Sequence, residues 1–417
     1  MTDTASRKWL VAILLLATLT RLLVVLVFFG DYRPRYDAAQ YQSTAQNFLK
    51  GRGLIVNEDL KAYRTPLPGL YIAGIYAVFG PSVRAVQIAN VLLGVFTVWL
   101  IYDLVRRSFG IAPARWSALS VSLYPLLVFY TGTLLSETLA ILLLALALWL
   151  VWLLRNKPAP WFAPVGVVLG LAALTRQTAL AIAVVMVLWT LVGRRAEGWW
   201  RRSSPALIIL GCMVLTLTPW TVRNYFVVGK FVPLTSQGGS SLWLANNPLA
   251  DGSGVGGNVL HIPEVEALPE AERGAAYQQL AVQFIREDPL RFAWLALRRL
   301  QYFWHLGYHG EGRAEIAFLA IYLPMLGLAT IGIWRGWQLN RHAVLLLLVI
   351  PLALTAVHMV FLPAGRYRLP AELAMCTLAG VGAAWAWSCI GSMRTCSGAG
   401  KAGTCRIERS TITEEGA

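Results

Sequence analysis

Residues 138–154 read TLAILLLALALWLVWLL, closed on one side by Ser136-Glu137 and on the other by Arg155. The run is apolar throughout after Thr138, and its length falls in the range of roughly 17–25 residues that carries a helix across a bilayer core. Comparable runs recur near 84–104, 116–134, 161–175, 178–193, 206–222, 314–334, 343–362 and 369–390. A further one leads from Ser6-Arg7-Lys8 to about Gly30. It is too long for a signal-peptide core and has no small-residue cleavage site behind it, so it is expected to be a retained first helix.

The composition agrees with this reading. Hydrophobic residues make up 57% of the 417 and charged residues 14%, with mean hydropathy +0.57, whereas soluble domains carry about 25% charge. A soluble enzyme, a fibrous protein and a disordered tail protein are excluded. The expected fold class is an all-α polytopic integral membrane protein with about ten transmembrane helices and two large extracytoplasmic loops.

The net charge of +15 would point to nucleic acid in a soluble chain, but here the basic residues flank apolar runs and set orientation instead. Arg106, Arg107 and Arg115, then Arg155 and Lys157, then Arg194, Arg195, Arg201 and Arg202, then Arg335 and Arg341 occupy short linkers. About ten crossings place all of them, and both termini, in the cytoplasm. Residues 69–80 are apolar but too short to span, which suits an interfacial segment. Residues 161–192 are read as a shallow hairpin with Arg176 at its tip.

This map divides the chain into four parts. Residues 1–222 form a transmembrane module that includes a first outer loop over 31–83. Residues 223–313 form a second outer segment, 314–391 the C-terminal membrane helices, and 392–417 a polar cytoplasmic tail without apolar periodicity, expected to be disordered. In the second outer segment the stretch PLRFAWLALRRLQYFW opens at Asp288-Pro289, an N-cap followed by an N1 proline. Its mixture of Trp, Tyr and Arg suits the headgroup layer.

Several ionisable residues fall at outer ends of spans. Asp37 follows the first helix, with Tyr41 one helical turn later, and an ionised carboxylate there can act as general base on an acceptor. Spacing alone favours a solvated loop acid or an N-cap, and Asp31, Glu58 and Asp59 compete for the role. Glu137 opens the apolar run quoted above, either facing a cavity or complementing its helix dipole. Arg64, Arg176, Arg223, Arg366 and Arg368 sit outside against the charge bias. Guanidinium groups form bidentate, charge-assisted bonds to phosphate, so their convergence would make a pocket for a lipid phosphate. Arg21 lies within the first apolar run and is expected to snorkel outward.

Other features carry less. His305, His309 and Glu311 have a spacing open to metal, but Gly307 between the histidines argues against one helical face. GSGVGG at 252–257 lacks a preceding strand and is not a dinucleotide loop. No Walker motif occurs. The five cysteines, Cys212, Cys376, Cys389, Cys396 and Cys405, lie within or after apolar runs and offer no disulfide framework.

Six stretches, taken in order, resemble a known group. They are YDAAQYQSTAQNFLKGRGL (36–54), YRTPLPGLYIAGIYAVFG (63–80), LLSETLAILLLALALWL (134–150), LTRQT (174–178), TPWTVRNYFVVGKFVPLTSQGGSSLWLANNP (218–248) and GRYRLP (365–370). Across most of 9–390 the chain resembles the GT-C membrane glycosyltransferases. The specific likeness is to the bacterial family 39 group related to dolichyl-phosphate-mannose protein mannosyltransferases and lipid A aminoarabinose transferases.

The resemblance implies an inverting transferase of the cytoplasmic membrane. It would move a sugar from a polyprenyl-phosphate donor to a lipid, glycan or protein acceptor on the outer face, among membrane lipids and without nucleic acid. It implies Asp37 as catalytic base and Glu137 as a residue positioning the acceptor or a cation, with Tyr41 beside the base. The five arginines would hold the donor phosphate. No cofactor is required by the motifs; a divalent metal is left open, because Ala38 follows Asp37 where many relatives carry a second acid. A lipid-carrier flippase or ligase, or a secondary transporter, would share the membrane architecture without needing a base in the first outer loop. A transporter would further be expected to show related halves, and no internal repeat is visible.

Overall fold

A computed structural model describes residues 3–193, 198–254, 260–305 and 313–398. Among these the secondary structure is helical, with no strand beyond an isolated bridge between Asn57 and Leu60. The helices run α1 (Asp3–Val27), α2 (Asp37–Leu49), α3 (Pro66–Phe79), α4 (Val83–Phe109), α5 (Ile111–Leu123), α6 (Pro125–Phe129), α7 (Glu137–Leu154) and α8 (Ala163–Thr175). There follow α9 (Ala179–Gly193), α10 (Trp199–Val228), α11 (Gln237–Ala245), α12 (Pro263–Glu266), α13 (Glu270–Glu287), α14 (Pro289–Phe303), α15 (Arg313–Val360) and α16 (Leu369–Gly398).

Six helices among the described residues are long and apolar enough to cross a membrane, namely α1, α4, α7, α10, α15 and α16. Several of the expected spans are not separate long helices, and each case has a local cause. The expected span 116–134 is divided at Pro125 into α5 and α6, since proline lacks the N–H that would continue the ladder. The expected hairpin over 161–192 is two shorter apolar helices, α8 and α9, on either side of Arg176. The two spans expected at 314–334 and 343–362 lie on α15, which bends at Asn340 where the backbone turns to φ −158, ψ 86. At the C-terminal end α16 runs on to Gly398, past the expected start of the tail; residues 399–417, like Arg194 and Arg195, lie outside the described residues.

Arg21 does not snorkel. Its side chain is 1% exposed and donates to Ala17 O at 3.1 Å, Ser122 O at 3.3 Å and Val121 O at 3.4 Å. The proline at 125 leaves the carbonyl of Val121 without its helical donor, and buried carbonyls must find one. The guanidinium of Arg21 therefore caps the broken end of α5 from the neighbouring helix, a partner that snorkelling would have cost it.

Between α15 and α16 the contact is made backbone to backbone. A Cβ on Gly332 would stand 1.8 Å from Leu378 O, and one on Gly382 would stand 2.1 Å from Leu328 O. Small residues let membrane helices approach this closely. Replacing Gly332 by Ala is expected to force the two helices apart and to cost about 1–3 kcal/mol, the usual scale of overpacking. Thermal unfolding in detergent checks this; an unchanged melting temperature would mean that the helices do not meet there.

Outside the bundle, α2 and α3 pack on each other through Ala38, Tyr41 and Ala45 against Ile72, Ala73 and Tyr76. The spacing 38, 41, 45 places these α2 residues on one helical face. Residues 69–80, expected to be interfacial, are most of α3 and the last residue of that expectation, Gly80, is its C-cap. The segment after α10 packs around Trp243, Val265, Tyr277 and Ala281.

Candidate active site

Asp37 is the first residue of α2, where its charge suits the helix dipole. Tyr36 before it has φ 51, ψ −124, the left-handed side of the map for a residue with a Cβ, and no other described non-glycine residue is found there. Such backbone costs on the order of 1–3 kcal/mol and collects at functional sites. The turn swings Asp37 into an open cleft of about 600 Å³ whose walls include Asp31, Arg33, Arg35, Tyr36 and Arg366.

From Asp37 a row of alternating charge extends. Its Oδ1 accepts from Arg64 Nη2, and its Oδ2 accepts from Arg366 Nη2 at 2.5 Å. Arg366 Nε stands 4.0 Å from Glu137 Oε1, which accepts from Arg176 Nη1 at 2.7 Å. The order is thus Arg64, Asp37, Arg366, Glu137, Arg176, contributed by the loop before α3, the start of α2, the turn before α16, the start of α7 and the tip between α8 and α9.

Neighbours fix these side chains. Arg64 also donates to Gln40 Oε1 at 2.6 Å and to Gln237 Oε1 at 3.1 Å, and lies over the rings of Tyr63 at 5.1 Å and Tyr41 at 5.8 Å. Tyr41 is thus a buried platform for Arg64. Arg176 and Arg366 share the ring of Tyr367, at 5.0 Å and 5.2 Å. Glu137 is 3% exposed, and its Oε2 is buried without a hydrogen-bond partner.

Electrostatics keep Asp37 ionised. Burial pushes its carboxyl up, but Arg64 and Arg366, with Arg176 behind them, outweigh burial and hold it below the usual carboxylate range. In the order of influence, desolvation is opposed by opposite charge and by a hydrogen bond to the charged form.

Two of the five arginines stay out of the row. Arg223 donates to Lys61 O at 2.7 Å and Leu54 O at 3.1 Å. Arg368 turns into the bundle, pairing with Glu372 at 2.7 Å and donating to Phe303 O at 3.0 Å and His305 O at 2.8 Å. The alternation in GRYRLP explains the divergence of Arg366 and Arg368: two residues apart on a tight turn, their side chains leave in different directions. Of the competing acids, Asp31 lines the cleft while Glu58 and Asp59 are exposed.

Sequence reading passed over Gln40, Gln237, Tyr367 and Glu270. The first three lie inside stretches already singled out, so their nearness to the arginines was a usable signal. Glu270 had none, being one of several acids in a polar segment.

A divalent metal does not suit this donor set. Both oxygens of Asp37 and one of Glu137 are held by guanidinium groups, and no group of three or more metal-ligating side chains occurs among the described residues. Hard cations want several oxygen ligands together. His305 is described, whereas His309 and Glu311 lie outside the described residues.

The fold itself is shared with known proteins. The chain has the architecture of ArnT from Cupriavidus metallidurans bound to undecaprenyl phosphate, with TM-score 0.60 and 17% identity over 95% of this chain and 64% of that one. It equally resembles the archaeal oligosaccharyltransferase AglB from Archaeoglobus fulgidus in complex with an inhibitory peptide and a dolichol-phosphate. There the TM-score is 0.62 and identity 12%, over 95% of this chain and 52% of that one. The chain thus spans between about half and two thirds of the length of these proteins.

These matches show a shared fold, a helical one built around six helices long and apolar enough to cross a membrane among the described residues. Residues 63–221 match the family model for dolichyl-phosphate-mannose-protein mannosyltransferase. No curated protein sequence matches the chain.

Proposed function

We propose that the chain is an inverting glycosyltransferase that moves a sugar from a polyprenyl-phosphate donor to an acceptor at the extracytoplasmic face of the cytoplasmic membrane. The observation that carries this reading is the pairing of Asp37 with Arg64 and Arg366 at the cleft. Three guanidinium groups face two carboxylates in the row, an excess of one positive charge. A phosphodiester, the linkage of a lipid-phosphate sugar, carries one negative charge and would complete the balance.

The chemistry follows from that exchange. The donor phosphate takes hydrogen bonds from Arg64, Arg366 and Arg176, which loosens their hold on Asp37. The freed carboxylate accepts the proton of the acceptor's hydroxyl or amine as the latter attacks the anomeric carbon opposite the phosphate. The bond from that carbon to the phosphate oxygen breaks, and the arginines stabilise the negative charge that collects on the leaving lipid phosphate. Glu137 keeps Arg176 and Arg366 aimed at the same point. Residues 1–222 supply most of this machinery, 223–313 the outer cover, and 314–391 supply Arg366.

Purified protein in proteoliposomes, supplied with undecaprenyl-phosphate-linked sugars and an extract of envelope acceptors, tests the proposal. Transfer with inverted anomeric configuration and release of lipid phosphate is the expected result. Uptake or translocation of the lipid-linked sugar without any transfer would overturn it. Mass spectrometry of envelope glycans from a deletion strain would then identify the product.

The acid limb of activity gives a second check. Because the arginines lower the pKa of Asp37, its charged form persists below pH of about 3.9, the ordinary aspartate value. The kcat/KM profile of the free enzyme is expected to stay level through that range and fall only below it. Replacing Arg64 by Gln removes one stabilising charge, so the limb should move to higher pH; no movement would mean that Asp37 is not the titrating base.

A further inference from the structure

Every polar backbone atom of Lys61 and Ala62 is held by the second outer segment or the end of α10. Glu270 Oε2 accepts from Lys61 N at 2.6 Å, and Glu270 Oε1 accepts from Ala62 N at 3.0 Å. Arg223 Nη1 donates to Lys61 O at 2.7 Å, and Ser236 N donates to Ala62 O at 3.0 Å. Ser236 closes the ring by donating from its hydroxyl to Glu270 Oε1 at 2.5 Å. Ala62 is fully buried beneath these contacts. Two residues later comes Arg64, whose guanidinium meets Asp37.

A loop residue so completely bound is unusual, because connecting segments normally leave backbone groups to water. Four bonds on two consecutive residues, two of them to one carboxylate, fix the chain just before Arg64. Charge assists the grip: a carboxylate on two N–H groups and a guanidinium on the carbonyl between them are each stronger than neutral hydrogen bonds. Arg64 itself reaches the same segment through Gln237.

We infer that Glu270, assisted by Arg223, is a positioning residue that sets Arg64 for its phosphate ligand. The second outer segment is then part of the scaffold of the donor site and not only its cover. This rests on the reading of Arg64 as a ligand of the donor phosphate. It also gives Arg223 a task in place of direct phosphate contact.

The test uses the full chain in nanodiscs, with undecaprenyl phosphate as the binding probe, and four forms: wild type, Glu270→Gln, Arg64→Gln and the double variant. Glu270→Gln is expected to weaken binding about tenfold, Arg64→Gln by more, and the double variant no more than Arg64→Gln alone, since residues acting through one another are not additive. Additive losses, or wild-type affinity in Glu270→Gln, would overturn the inference. Wild-type affinity in Arg64→Gln alone would instead overturn the phosphate reading. Amide hydrogen exchange reads the clamp independently: Lys61 and Ala62 should exchange at least tenfold faster in Glu270→Gln while the amides of α7 do not change. Equal acceleration throughout would show general loosening and sink the positioning role.

Discussion

Asp37→Asn is expected to lower sugar transfer by about 10²–10⁴-fold, the usual contribution of a positioned general base, while undecaprenyl phosphate still binds. The substitution keeps the shape of the side chain but removes the proton acceptor and the negative charge between Arg64 and Arg366. Those two guanidinium groups would then be without their carboxylate and freer to meet a phosphate. Binding should hold or tighten as catalysis fails. Such a divergence separates a base from a residue that merely supports the fold, whose loss would weaken both together. Unchanged product formation in a well-folded Asn variant would end the base mechanism.

The second large effect concerns Arg368. Its side chain is 1% exposed, and its partner Glu372 is fully buried. Breaking a buried pair from one side leaves an uncompensated charge, typically at a cost of about 3–5 kcal/mol. Arg368→Met should lose about that much stability, and it also removes the donors to Phe303 O and His305 O that end α14. Replacing both members, Arg368→Met with Glu372→Leu, should recover much of the loss, since apolar pairs often substitute for buried ion pairs. Thermal unfolding of the three forms decides. Full stability in Arg368→Met together with loss of lipid-phosphate binding would return Arg368 to the phosphate site.

The membrane fold was plain in the sequence because apolar length is a local property: the expected runs 84–104 and 138–154 fall within α4 and α7. The number of full crossings was less plain, since Pro125 and Asn340 break or bend helices in ways that hydropathy averages away. At the site, the positions of Asp37, Arg64 and Arg366 at outer ends of spans pointed to one membrane face. Position at a face does not give direction, however. Arg366 and Arg368 read alike in GRYRLP and diverge only through the turn that carries them. Glu270 was invisible for a related reason, as its partners are backbone atoms some two hundred residues earlier in the chain, and backbone atoms leave no trace in composition.

The strict alternation from Arg64 to Arg176 bears on how each catalytic cycle finishes. Cleavage turns a singly charged diester into a monoester carrying about −1.5 to −2, so the spent carrier suits three cations better than the incoming one did. Occupancy by this by-product should therefore slow the enzyme, and its departure is a natural slow step. On the proposed mechanism Asp37 has a second service: once it has passed its proton to water, its carboxylate reclaims Arg64 and Arg366 and helps expel the used lipid.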